Sequence, residues 1–403
     1  MTRKLGCIGL LLLASACDNG AQTLGWEASG VSGPQPLPWF GGPQHYERWL
    51  GGFPADSSFF PIGVWMQNPI NAQRYQAVGI NHYVGLWQGP TDEQLATAMT
   101  AGMPVVCEQA GVWQQNLASA TIQGWMHGAT PDNAQENPDG SFAPCIEPEV
   151  MQTAYAQMVA ADATRPVMLL LGRGVADPEW VGRGSCTGRV EDYPRYVEGA
   201  DLLVTYSYPL NNQEPLEQVV SGMQRMNAYA GYKKPVMADL EASNIFGEVR
   251  PTPQQLRAEV WLSLIHGAAG IQYFCHQMEP QAEFNETDCL DDPQTAAALT
   301  RINQEILTLA PALNSQSYSL SPVSSNGAIP VAAVLKMLGN DRYVFAAGMA
   351  NGATTASFSL SGIGAPTRIE VIGEGRSLTP QGTAFEDAFE PYGVHLYRFT
   401  VSP

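Results

Sequence analysis

Between residues 59 and 276 one pattern recurs eight times: a short, nearly all-apolar run followed by a longer stretch of mixed polarity. The runs are Phe59–Trp65, Gly79–Trp87, Met103–Glu108, Thr121–His127, Pro166–Gly172, Ala200–Tyr208, Pro235–Glu241 and Gly270–His276. A run that is apolar without alternation fits a strand covered on both faces, as in a parallel sheet. Helical patterns fill the intervals at Asn71–Val78, Asp92–Ala101, Glu147–Ala163, Glu214–Ala230, Thr252–Gly267 and Asp292–Ala312. The intervals after the third and fifth runs are less regular. Pro251-Thr252-Pro253 is a helix start, with Gln254 and Gln255 in the first turn. Eight such units predict a closed (β/α)8 TIM barrel over residues 39–313. A doubly wound open sheet would carry a Gly-rich phosphate loop after its first strand, and Gly-Arg-Gly at 172–174 and 182–184 completes no such motif.

After Ala312 the texture changes. The runs Val331–Leu338, Tyr343–Ala347, Thr354–Leu360, Arg368–Ile372 and Val394–Val401 are separated by Gly, Asn, Ser and Pro. This predicts a small antiparallel β-sandwich over residues 314–403.

At the other end, residues 1–17 have the form of a lipoprotein-type signal peptide. Arg3 and Lys4 precede the apolar stretch Leu5–Leu13, and Ala14-Ser15-Ala16 precede Cys17. Cys17 would then carry the lipid, and residues 18–38, rich in Gly, Ser and Pro, would be a flexible tether. The competing expectation is a secretory signal cut near Ala16 or Ala21. Either way the chain is exported, and in the lipoprotein form it is membrane-anchored in the periplasm or on the cell surface. A formal net charge of −18 opposes nucleic-acid phosphates and anionic headgroups, so no nucleic-acid partner is expected and membrane contact is through the lipid alone. Export permits disulfides among Cys107, Cys145, Cys186, Cys275 and Cys289. Cys275–Cys289 and Cys145–Cys186 are candidate pairs, although spacing does not fix connectivity.

Barrel chemistry gathers where the strands end. Those ends hold Trp65 and Gln67, Trp87, Glu108, Trp125 with His127 and Thr130, Arg173, Tyr206 and Tyr208, Glu241, and finally Tyr273, His276 and Gln277. Indole and phenol rings stack on the CH faces of pyranoses, while amides and carboxylates pair with hydroxyls. The partner this set suits is an oligo- or polysaccharide. Glu241 closes an apolar run and cannot be core filling without a partner, so it is either catalytic or ion-paired, with Arg173 as one possible cation. Asp239 is left outside the site. The six histidines form no metal-binding motif and no Gly-x-Ser-x-Gly elbow occurs, so neither metal nor cofactor is expected.

The segments FFPIGVWMQNP, GINHYVGLWQGPT, GWMHGATPDNAQ, EDYPRYVEGAD, KPVMADLEASNI and RPTPQQLRAEVWLSLIHGAAGIQYFCHQ resemble bacterial glycoside-hydrolase-like barrels of the large retaining clan that includes cellulases, mannanases and β-galactosidases. The tail FEDAFEPYGVHLYRF resembles the β-sandwich that often closes such chains. The resemblance implies a nucleophile after strand seven, where Glu241 stands, and an acid/base after strand four. The acid/base normally lies in an Asn-Glu-Pro or Asp-Glu-Pro step, which reads Ala129-Thr130-Pro131 here. A hydroxyl has no useful acidity for protonating a leaving oxygen. Asp132, His127, Glu136 and Glu108 are the candidate substitutes. Two expectations follow: a retaining-type hydrolase acting on a β-linked glycan with Glu241 as nucleophile, or a catalytically impaired carbohydrate-binding pseudoenzyme. A barrel serving only protein contacts is the third.

Overall fold

The computed structural model describes residues 33–401; the leader, Cys17 and the tether up to residue 32 lie outside the described residues. Eight parallel strands close into a barrel: β1 (Ile62–Trp65), β2 (His82–Val84), β3 (Val105–Cys107), β4 (Ile122–Met126), β5 (Val167–Leu171), β6 (Leu202–Tyr206), β7 (Val236–Glu241) and β8 (Gly270–Phe274). They follow one another around the barrel in chain order, and β8 pairs back onto β1. Each of the eight runs supplies one strand.

Period-two alternation explains why those runs lack polar positions. One side of each strand fills the barrel, where Val84, Val106, Met126, Met168, Leu170, Val204 and Met237 meet, and Tyr46 and Phe53 from the preceding segment join this cluster. The other side, including Val64, Val105, Leu169 and Ala238, packs beneath the helices. A glycine is required in β1: a Cβ on Gly63 would fall 2.7 Å from Nε2 of His82.

The outer layer comprises α1 (Ala72–Ala77), α2 (Asp92–Ala101), α3 (Pro148–Ala161), α4 (Tyr193–Tyr196), α5 (Glu217–Tyr229), α6 (Pro253–Ile265) and α7 (Pro293–Leu313). Helices α2 and α6 begin with reciprocal capping boxes, Thr91 with Gln94 and Thr252 with Gln255. The irregular intervals after β3 and β5 hold only 3-10 turns and the four-residue α4.

The C-terminal part is a β-sandwich. Its strands are β9 (Ser317–Ser319), β10 (Val323–Ser324), β11 (Val331–Leu338), β12 (Asp341–Gly348), β13 (Thr354–Ser359), β14 (Ile369–Val371), β15 (Arg376–Leu378), β16 (Ala384–Phe389) and β17 (Val394–Thr400). One sheet runs β9-β11-β12-β17-β14-β15 and the other β10-β13-β16. The larger sheet docks on the barrel helices: Phe345 meets the fully buried Trp261 of α6 at 5.1 Å between ring centroids. Burying a side chain of that size contributes roughly 2–3 kcal/mol. Lys336, also buried here, donates from Nζ to the carbonyls of Leu313 and Ser315 at 2.7 and 2.8 Å, closing the C-terminal end of α7.

The tether expectation fails at its last residues. Ser319 N–H donates to the Gln35 carbonyl and Leu37 N–H to that of Ser317, both at 2.8 Å, so residues 35–37 run along β9. The free edge of a sheet offers such pairing to any extended neighbour. Both candidate disulfides, Cys145–Cys186 and Cys275–Cys289, are formed, and Cys107 is a buried free thiol.

Candidate active site at the barrel mouth

A cleft of about 360 Å³ opens beside the C-terminal ends of β1, β2 and β8. Trp65, Met66 and Trp87 come from the ends of β1 and β2; Phe274, His276, Met278, Phe284 and Glu286 come from β8 and its loop. Trp87 is 68 % exposed, a large indole face left in solvent. Gln94 joins the lining and fixes Trp87: as the third residue of the α2 capping box it also donates from Nε2 to the Trp87 carbonyl at 2.9 Å.

The backbone is strained around this rim. Met66, Gln88 and Tyr208, which follow the ends of β1, β2 and β6, hold φ of +44°, +53° and +48°. Each non-glycine residue held there costs on the order of 1–3 kcal/mol, and such strain gathers at functional sites. An aromatic track extends from this rim toward the cleft. Tyr206 stacks on Tyr208 at 4.8 Å, Tyr208 meets Phe274 at 5.4 Å, Phe274 meets His276 at 5.1 Å and His276 meets Phe284 at 5.9 Å.

Gln67 does not line the cleft but braces it from beneath. It accepts from Tyr75 Oη at 2.7 Å and contacts Nε2 of His276 at 3.3 Å. Burial pushes His276 down to about 4, so it is a neutral ring at pH 7. Gln277 clamps the loop base, exchanging backbone hydrogen bonds with Asn285 at 2.9 and 3.1 Å. The Cys275–Cys289 bridge ties together the ends of the loop that carries Met278, Phe284 and Glu286.

Glu108, Thr130 and Tyr206 lie elsewhere. Glu108 extends over Gly128, where a Cβ would fall 2.4 Å from its Oε2. Thr130 places its hydroxyl beside that of Tyr206, which also accepts from Asn133 Nδ2 at 2.9 Å.

Several expected site residues are elsewhere. Trp125 is buried facing the helices, its Nε1–H donating to Asp162 Oδ2 at 2.9 Å, because its neighbour Met126 takes the inward position. Tyr273 likewise points outward, between the inward Gln272 and Phe274, and donates to Asn303 Oδ1 of α7 at 2.8 Å. His127 is buried with Nε2 2.8 Å from the Gly199 carbonyl, the place of a wall residue and not of an acid. Asp132 is buried, accepting from Gly172 N at 2.8 Å and Tyr193 Oη at 3.1 Å. Arg173 pairs with Glu214 at 2.7 Å and Asp177 at 3.5 Å, not with Glu241. Glu136 is exposed on a short hairpin.

Glu241 ends β7 as expected, yet it is 0 % exposed. Its carboxylate is turned into the loop after β6, accepting from Leu210 N at 2.6 Å, Asn211 N at 2.7 Å and Asn211 Nδ2 at 2.6 Å. Against it lies Glu259 of α6, also fully buried and with no other hydrogen-bond partner. Burial and the adjacent carboxylate push Glu259 far up, so Glu259 carries the proton and donates it to Glu241. With four donors around it and no exposed surface, the Glu241 carboxylate cannot reach a sugar in this arrangement.

Asp239 is the residue the sequence reading sets aside. Period-two alternation puts it inward with Met237, beside Gln272 in register, and Tyr208 Oη donates to its Oδ2 at 2.9 Å. Burial pushes its carboxyl up to about 8.

No family model matches the chain, and no curated protein matches it in sequence. Solved structures do match in fold. An α-amylase from Geobacillus thermoleovorans complexed with acarbose aligns over 86 % of this chain and 99 % of its own, with TM-score 0.54 and 9 % identity. A noncanonic maltogenic α-amylase from Thermotoga neapolitana aligns over 86 % and 99 %, with TM-score 0.53 and 8 % identity. An AmyP structure in complex with maltose aligns over 86 % and 98 %, with TM-score 0.51 and 9 % identity. The likeness is one of fold: a closed parallel barrel followed by a β-sandwich.

Proposed function

We propose that this chain is an exported carbohydrate-binding barrel of glycoside-hydrolase fold, anchored by a lipid on Cys17, that holds an oligo- or polysaccharide in the mouth cleft. Trp65 and Trp87 stack on the sugar, and the track from Phe274 to Phe284 supports it. In this reading Glu241 is a structural post. The observation that carries it is the closed shell around the Glu241 carboxylate, beside an open cleft walled by indoles. Two of the neighbours in fold are themselves complexed with sugars, maltose and acarbose, which supports the choice of a carbohydrate ligand. Neither cofactor nor nucleic acid enters the proposal.

The test is calorimetry against a panel of β- and α-linked oligosaccharides, run beside hydrolysis assays on the same compounds and on aryl glycosides. Binding without turnover is expected, with Trp87→Ala weakening it by about tenfold or more. Hydrolysis by the wild type that disappears in a folded Glu241→Gln variant would restore the retaining mechanism and overturn the proposal.

A further inference from the structure

The cleft is an unusual place for a neutral sugar alone. Trp65, Trp87, Phe274 and Phe284 form its aromatic walls, and Met66 and Met278 add thioethers. A neutral pyranose needs donors and acceptors around its whole rim, and the polar lining groups here are Asn68, Gln94, His276 and Glu286. Among the described lining residues the only carboxylate is Glu286. It is partly buried, which pushes its carboxyl above the usual range, and it accepts hydrogen bonds from Asn71 Nδ2 at 2.8 Å and from the Asn68 backbone N–H.

Among the described residues no cation pairs with that carboxylate. Two arginines reach the loop that carries it, but Arg74 is bound to Asp291 at 2.6 Å and Arg250 to Asp288 at 2.8 Å. His276, in the same wall, is neutral. Removing a carboxylate from water without a counter-charge is unfavourable, so this partly buried carboxylate favours a cationic ligand. Aromatic faces attract cations by their quadrupole, most strongly when water is excluded. The net charge of −18 draws cations toward the whole molecule.

We propose that the glycan held in this cleft carries an ammonium group, seated between the indoles and Glu286. The inference rests on the carbohydrate-binding reading and narrows it to amine-bearing sugars. The shared chemistry is an alkylammonium group, whether on a sugar ring or on a free quaternary amine.

The test is calorimetry with the wild-type chain against four probes: glucosamine oligomers with free amines, their fully N-acetylated counterparts, neutral cello-oligosaccharides and tetramethylammonium. The free-amine oligomers are expected to bind about tenfold tighter than either neutral series, with an advantage that shrinks as salt is raised. Glu286→Gln is expected to erase the advantage of the free-amine oligomers over both neutral series. The salt series on the wild type gives the same answer should that variant fail to fold. Neutral oligomers binding as tightly as the amines, with no salt dependence, would overturn the ammonium assignment and leave the glycan reading standing. Tetramethylammonium binding without any oligosaccharide would keep the cation site and sink the glycan reading. Failure of all four probes would overturn both.

Discussion

Replacing Glu241 by Gln separates a structural carboxylate from a catalytic one. In the native chain three N–H donors and the proton of Glu259 converge on it. The amide keeps one carbonyl oxygen, but its own NH2 now faces donors. One or two of the Leu210 and Asn211 donors are then left buried without an acceptor, at about 1–3 kcal/mol each. The loss is on the order of 3–5 kcal/mol once the missing charge is included. For a domain of this size each kcal/mol lowers Tm by roughly 2–4 °C, so a fall of about 10 °C is expected. Thermal denaturation followed by circular dichroism at pH 7 measures it, with glycan calorimetry well below the new Tm as the companion assay. Affinity should hold within about threefold, because the carboxylate touches no part of the cleft. Glu259→Gln is the control: its amide can donate where the carboxyl proton does, and the cost should stay below about 1 kcal/mol. An unchanged Tm in Glu241→Gln together with lost turnover or binding would refute the reasoning.

Asp239→Asn should flatten the pH dependence of stability. The folded carboxyl titrates near 8 and the unfolded one near 3.9, so between these values the folded state holds the extra proton and stability falls as pH rises. The Asn variant should therefore be the more stable form at pH 9 by Tm, and parallel profiles from pH 5 to 9 would count against the buried acid. Trp125→Phe should lose a few degrees of Tm through the lost indole N–H donation to Asp162, whose carboxylate keeps Arg165 and Thr164, while leaving sugar affinity unchanged; a loss of binding would return Trp125 to the site. Opening the loop with Cys275→Ser and Cys289→Ser should weaken binding by several-fold, because Met278, Phe284 and Glu286 lose their frame. Equal affinity in that double variant at a temperature where it stays folded would show that the loop is held by its other contacts.

The barrel was legible because its strands are apolar on both sides, and each run could be counted before any contact was known. What the count omitted was parity. Met126 and Phe274 point inward, so Trp125 and Tyr273 could not, and period two alone would have shown it. The same rule places Asp239 beside the mouth. Glu241 was harder, because its partner is a helix residue eighteen positions later. The clue was a lone acid, Glu259, inside the apolar stretch Leu256–Ile265. Three of the cleft residues had no periodic signal at all. Met278, Phe284 and Glu286 sit on a loop shaped by a disulfide and by packing against α1, which only the folded chain brings together. In the sandwich, β16 escaped notice because Asp387 interrupts its inward row. There it is satisfied by both nitrogens of the Arg376 fork and by Tyr397 Oη.

The most direct measurement is a crystal structure of the chain with a bound amine-bearing oligosaccharide. A pyranose ring stacked on Trp87 or Trp65 is expected, its ammonium group against Glu286, with Glu241 still closed under Leu210 and Asn211. An anomeric carbon within about 3.5 Å of a Glu241 oxygen, the distance of a near-attack geometry, would contradict it.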